Sequence, residues 1–291
     1  MKKIFLSIIT SVVVLSSCND DRINEEAEYQ PMDEFYNENK PEEQEFVITS
    51  DTGSVPIVGM EGTELWGFRN ILEHRNGDEV QLPYSLKLIE LYSYEDMILY
   101  RMPTLASTSI LESGGEVKIT AWESGKELVL KSGEKYPLVL ATTPTKAGMS
   151  VYHGDHPNNE FGSWDASSDG SIIIQAEKYQ MHTAKMGWQN CGQAGSNNGT
   201  TDVKFSVEGK GGEFIDLYIT LKDYQGLLKG NNLVVNSVPI GQNVTIVAMA
   251  KDQNDEYRLH KQEIMITDGL EIILDMQVVS ETALLSTLAG L

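Results

Sequence analysis

From Phe46 to Val279 short runs of Val, Ile, Leu and Tyr alternate with clusters of Gly, Asn, Asp and Ser. This spacing constrains the fold more than any other feature of the chain. Tyr84–Tyr92 and Glu116–Trp122 alternate apolar and polar residues over much of their length, which gives a strand one core face and one wet face. Turns at 123–126 (Glu-Ser-Gly-Lys) and 132–135 (Ser-Gly-Glu-Lys) bracket a short strand at 127–131. Turn signals about eight to twelve residues apart point to a sandwich or barrel. The second half continues in this style, with candidate strands at 171–176, 203–207, 214–221, 233–236, 243–250, 257–266 and 270–279. Helical periodicity is scarce; 94–99 and 281–288 are the two weak exceptions. The Gly-, Ser-, Asn- and Asp-rich stretch 158–170 reads as a domain boundary. The expectation is an all-β body of two tandem β-sandwich domains, 46–160 and 161–291.

The first 45 residues follow another logic. Lys2 and Lys3 precede a mostly apolar run from Ile4 to Leu15. That run is too short for a membrane-crossing helix, which needs about 20 residues, but it suits the apolar region of a secretory signal peptide. Leu15-Ser-Ser-Cys18 resembles the lipobox of bacterial lipoproteins. The resemblance implies a signal peptide over 1–17 and acyl chains on Cys18, which would tie the protein to a membrane. From Asn19 to Glu45 there are eleven acidic and two basic residues, with Pro31 and Pro41. Such a composition buries little apolar surface, so 18–45 is expected to be a disordered acidic tether. Asp20 and Asp21, directly behind the cysteine, resemble the export signal of surface lipoproteins in the Bacteroidota. The implied location is the outer membrane, lipid-anchored, on its periplasmic or cell-surface face.

The formal charge is −21. A surface this acidic repels nucleic-acid phosphates and anionic head groups, which sets nucleic acid aside and leaves the lipid as the expected membrane contact. Few motifs carry chemistry. His153-Gly-Asp-His156 has metal-ligand residue types, but Gly154 and Pro157 favour a polar loop leaving a strand at 148–152, so neither a metal nor a cofactor is expected. Ser132-Gly-Glu-Lys135 matches a Ser-x-x-Lys pattern that opens a helix in penicillin-recognising enzymes; here it reads as a turn. Glu61, Glu64, Glu73, Asp78, Glu90, Glu95 and Asp96 offer many carboxylate pairs, and nothing selects one. Trp66, Trp122, Trp164 and Trp188 suit a core better than a sugar platform. Cys191 reads as a buried small hydrophobe.

Several segments together resemble a ZU5-like β-sandwich domain found in lipoproteins of the Bacteroidota. They are Gly62-Thr63, Val80–Tyr92, Met97, Pro103-Thr104, Leu111-Glu-Ser-Gly-Gly115, Ile119-Thr-Ala121 and Gly125–Leu130. Met186-Gly-Trp-Gln-Asn-Cys191 is similar to a segment that often follows that domain, with Gln189 and Gly192 departing from the usual pattern. The resemblance implies fold and location and carries no catalytic role. The expected function is a non-enzymatic lipoprotein presenting β-domains for binding or assembly. One alternative is a fimbrillin-like pilus component, which needs a cleavable leader (Arg69 and Arg75 are the nearest sites). Another is a carbohydrate-binding or hydrolytic surface lipoprotein.

Overall fold

The computed structural model describes residues 31–50, 53, 55–107, 109–142, 144–155, 161–195, 199–208 and 214–291. The signal-peptide region, Cys18 and His156 lie outside the described residues. Helix α1 (Asp33–Asn39) leads into strands β1 (Gln44–Ile48), β2 (Ile57–Val58), β3 (Glu64–Leu65), β4 (Leu72–His74) and β5 (Tyr84–Leu91), then helix α2 (Tyr94–Leu99). Next come β6 (Leu111–Glu123), β7 (Lys126–Leu130), β8 (Tyr136–Leu140), β9 (Ser150–Gly154), β10 (Trp164–Ala166), β11 (Ser171–Gln175), β12 (Lys178–Thr183) and β13 (Gly187–Ala194). The last third holds β14 (Thr200–Val207), β15 (Asp216–Leu221), β16 (Gly226–Lys229), β17 (Val234–Pro239), β18 (Asn243–Lys251), β19 (Tyr257–Met265), β20 (Glu271–Leu274), β21 (Gln277–Val279) and helix α3 (Glu281–Ala289).

The fold is all-β. One sheet runs β1-β5-β6-β13-β9-β10, with β7 bridging β6 and β4. Opposite it lies β11-β12-β8-β3-β2. Leu86, Leu88, Val117 and Ile119 from the first sheet meet Leu65, Tyr136, Leu138 and Met181 from the second in one core. A further sheet pair, β17-β14-β20 and β16-β15-β18-β19-β21, encloses Val203, Val235, Ile219, Ile246 and Leu274. Its β14–β20 pairing is parallel.

A third core lies between the two sheet pairs. It collects Phe35 and Tyr36 of α1, Met97 and Ile98 of α2, Leu284 and Leu288 of α3, Ile89 and Leu91 of β5, and Tyr218, Val247 and Met249 of the far sheet. Strand β5 records this arrangement. Tyr84, Leu86 and Leu88 are buried while Ser85 and Lys87 are partly open, but Ile89, Glu90 and Leu91 are all buried. Alternation stops where the helices cover the strand's outer face, as expected for a strand buried on both sides. Helix α2 starts cleanly, because Ser93 and Asp96 form a reciprocal capping box.

Three expectations need correction. The stretch 158–170 is not where the sheets divide. Strand β10 lies inside it and β12 and β13 beyond it, and they pair back with β9, β8 and β6. Trp164, inside that stretch, is fully buried, and its Nε1 donates to Pro103 O at 2.9 Å. Gly154 leaves room for this ring, since a Cβ there would sit 2.9 Å from it. Second, the acidic segment is not an open tether as far as Glu45. Met32, Phe35 and Tyr36, spaced i, i+3, i+4, share one helical face and are buried. Third, the expected strand 270–279 is two strands, β20 and β21, broken at Asp275-Met276.

Candidate functional site

Leu111–Gly115 and Met186–Cys191 meet through neighbouring strands. Strands β6 and β13 pair, with a register shift between Asn190 and Gly192 opposite Ser113–Glu116. There Gly115 N–H donates to Ser113 Oγ (3.1 Å), Ser113 Oγ donates to Asn190 Oδ1 (3.1 Å), and Asn190 Nδ2 donates to Glu116 Oε1 (2.9 Å). Ser113, Glu116 and Asn190 are all buried, and Glu116 Oε2 has no hydrogen-bond partner. Burial pushes the Glu116 carboxyl well above the usual carboxylate range, and the Asn190 hydrogen bond opposes this only in part. The paired glycines follow from crowding. A Cβ on Gly114 would lie 2.8 Å from the Tyr179 ring. One on Gly115, whose φ is +126°, would lie 2.4 Å from the Tyr92 ring. The network is buried, and through Ser113 Oγ it holds the Gly115 backbone in place.

Adjoining backbone ties the two sheet pairs together. Ser113 N–H donates to Gln225 O (2.8 Å), Thr104 N–H to Leu227 O (2.9 Å), and Leu227 N–H to Thr104 Oγ1 (2.9 Å). The Tyr94 hydroxyl donates to Leu221 O (2.6 Å) and accepts from Gly226 N–H (3.1 Å); burial pushes its pKa up to about 12. Beside this seam opens a hollow of about 610 Å³ between Tyr92–Tyr94 and Lys222, Lys261 and Glu263. A second, of about 420 Å³, lies around His74, whose Nε2 is 2.6 Å from Glu123 Oε2.

The carboxylates singled out in the sequence do not converge. Glu90 is buried and accepts from Gln44 Nε2 (2.8 Å), Glu61 N–H (3.0 Å) and Thr63 N–H (2.9 Å), pinning the β2–β3 turn onto β5. Glu64 bridges Lys178 at 2.6 Å, and Asp96 caps α2. Asp78 accepts from Asn76 Nδ2 in a turn, Glu73 is in β4, and exposed Glu61 follows β2. Burial raises the pKa of Glu95 on α2. Trp164 and Trp188 belong to the central core, while Trp66 and Trp122 are half-buried at separate places. His153 is inside β9 rather than in a loop, and burial lowers its pKa. Among the described residues no three His, Cys, Asp or Glu side chains group as metal ligands. Cys191 is fully buried, and burial pushes its thiol pKa upward. Ser132–Lys135 is an exposed turn. Arg69 opens a short 3₁₀ turn, and Arg75 pairs with Glu127 at 2.8 Å.

One surface element stands apart from this acidic molecule. Strand β11 reads Ser171-Ile-Ile-Ile-Gln175, with no charge, and forms the edge of its sheet. Ile173 is 53% exposed and Ile174 45%. Ile172 is half-buried against the core. The strand pairs with β12 on one side, and its other side makes no backbone hydrogen bond among the described residues. Ile173 also begins a cross-strand row on the sheet's outer face, through Gln180, buried Val139 and Glu64 to Val58. The sequence marks 171–176 as a strand but holds no sign that it is an edge. No helix among the described residues is long and apolar enough to cross a membrane.

Comparison with known proteins returned no matching family, no matching curated protein and no matching solved structure.

Proposed function

We propose that this chain is a lipid-anchored protein of the bacterial outer membrane whose all-β body serves, without catalysis, as a binding or assembly module of ZU5-like type. The observation that carries the reading is the β11 edge. Native sheets usually blunt such edges with charge, proline or a covering element, and here an uncharged isoleucine strand on an acidic protein has no further strand partner among the described residues. The buried carboxylates support the same reading, because Glu90 accepts from the backbone of Glu61 and Thr63, and Glu116 is held by the Asn190 side chain deep inside the fold.

Chemical crosslinking of intact cells that express the tagged protein tests this. The expected product is a discrete adduct with another envelope protein. A ladder of the chain with itself would replace the reading with a pilus-like polymer, and absence of any adduct would overturn it. The anchor is tested separately: Cys18→Ala should release the protein from the membrane fraction, and equal retention would remove the lipid from the account.

A further inference from the structure

We propose that the free edge of β11 takes up an extended segment of another polypeptide as an added strand, and that this segment has an apolar centre and basic ends. The inference rests on the binding reading above and names the partner's chemistry. Strand addition uses the backbone groups left open along an edge for affinity and alternate side chains for specificity. On β11, Ile173 faces solvent beside Gln180, while Ile172 and Ile174 face the other way, opposite Met181 and Tyr179 of β12. An added strand would cover Ile173 with one set of its side chains. The other set would cover Ile172 and Ile174 at the open margin of the core.

Charge selects among occupants. The five uncharged residues are bounded by acidic ones, exposed Asp169 before the strand and exposed Glu177 in the turn after it. Ala176 and Glu177 both have positive φ (50° and 61°), so the strand ends sharply and leaves Glu177 at its tip. A second copy of this chain, paired antiparallel about Ile173, would bring Asp169 of each copy toward Glu177 of the other. Like charges placed opposite each other destabilise a strand pair, and each copy also carries a formal −21. The same acidic ends attract lysine or arginine. The edge therefore disfavours its own copy and favours a basic-ended strand, a use of repulsion to set specificity.

The test titrates the purified full chain with a short fluorescent peptide that has a Val-Thr-Val-Thr-Val centre and two lysines at each end. Saturable binding is expected. Glutamates in place of the lysines should weaken it about tenfold or more, and so should N-methylation of alternate backbone amides, which removes the donors of an added strand. Ile173→Lys should abolish binding with an unchanged circular-dichroism melt, and Asp169→Lys combined with Glu177→Lys should reverse the preference for flanking charge. Equal binding of the glutamate-flanked or N-methylated peptide, or by Ile173→Lys, would overturn the proposal. So would a dimer seen in sedimentation that Ile173→Lys dissolves, which would put a second copy on the edge. If intact-cell adducts persist in Ile173→Lys, this edge is wrong and the binding reading stands; if the wild type gives none, the binding reading itself fails.

Discussion

Glu116 is the residue whose environment departs furthest from its sequence. By pattern it opens a strand, one acidic residue among forty-three. Its depth comes from partners distant in the chain: Asn190 holds one oxygen, and the second sheet pair closes over the strand that carries it. No local signal encodes that, so it was not legible. Its titration gives a signed prediction. The folded-state pKa lies above the unfolded value, so the folded protein binds the extra proton. The resulting stability is fully present below the unfolded-state pKa and is lost as pH rises toward the folded one. Glu116→Gln, which mimics the protonated form, should match the wild type near pH 4 and gain on it by up to about 1.4 kcal/mol per pH unit above that. Urea denaturation across pH 4 to 8 measures this, and a constant difference between the two proteins would contradict it. The burial of Cys191 was legible from its residue type, since a cysteine left without a pairing partner usually packs as a small hydrophobe. Its thiol should resist a thiol-specific reagent in the folded protein and react on unfolding.

At the scale of elements, alternation and turns read well. Strands at 84–92, 116–122, 243–250 and 257–266 fall within or closely overlap β5, β6, β18 and β19. A wet face keeps the period of two in β19 and the first half of β5, while β18 is buried along most of its length and reads from its β-branched residues. Strand β13, the edge position of β11 and helix α1 escaped. Strand β13 is buried from Trp188 to Gly192 and so shows no alternation. The triple isoleucine of β11 has the composition of an interior strand, yet it is an edge. Helix α1 was hidden by averaging, since its acidic composition masks a single face of Met32, Phe35 and Tyr36. That face is firmly held. The Phe35 ring packs against Tyr36 and Tyr257 at 5.6 and 5.5 Å, Tyr36 OH donates to Asp216 Oδ2 at 2.9 Å, and the Arg101 guanidinium lies 4.2 Å over the Tyr36 ring while bonding Asp33. Phe35→Ala should cost about 3–5 kcal/mol in denaturant unfolding. A change within about 0.5 kcal/mol, the size expected of an exposed position, would mean that α1 is not docked.

At the scale of the molecule, three cores share walls. Leu88 and Ile89 are adjacent in β5 and belong to different cores, and so do Val247 and Ala248 in β18. Residues 31–291 form one compact unit, and backbone hydrogen bonds from Thr104 and Ser113 cross the seam. Thermal unfolding should therefore be a single transition with matching calorimetric and van't Hoff enthalpies; two resolved transitions would show that the sheet pairs melt independently. The all-β class was legible because it depends on patterning. The seam was not, because it depends on which strands meet. The proposed function draws on this rigidity: a body that buries Glu90 and Glu116 and leaves the uncharged β11 edge unpaired among the described residues is suited to hold a partner. The most direct test is a photo-crosslinking residue placed at Ile173 on intact cells, with the same residue at Val58 and Ile273 for comparison. The account predicts a discrete adduct with an envelope protein from Ile173 and little from Ile273. Adducts from Ile273 with none from Ile173 would contradict the edge, and silence at all three positions would contradict the binding function itself.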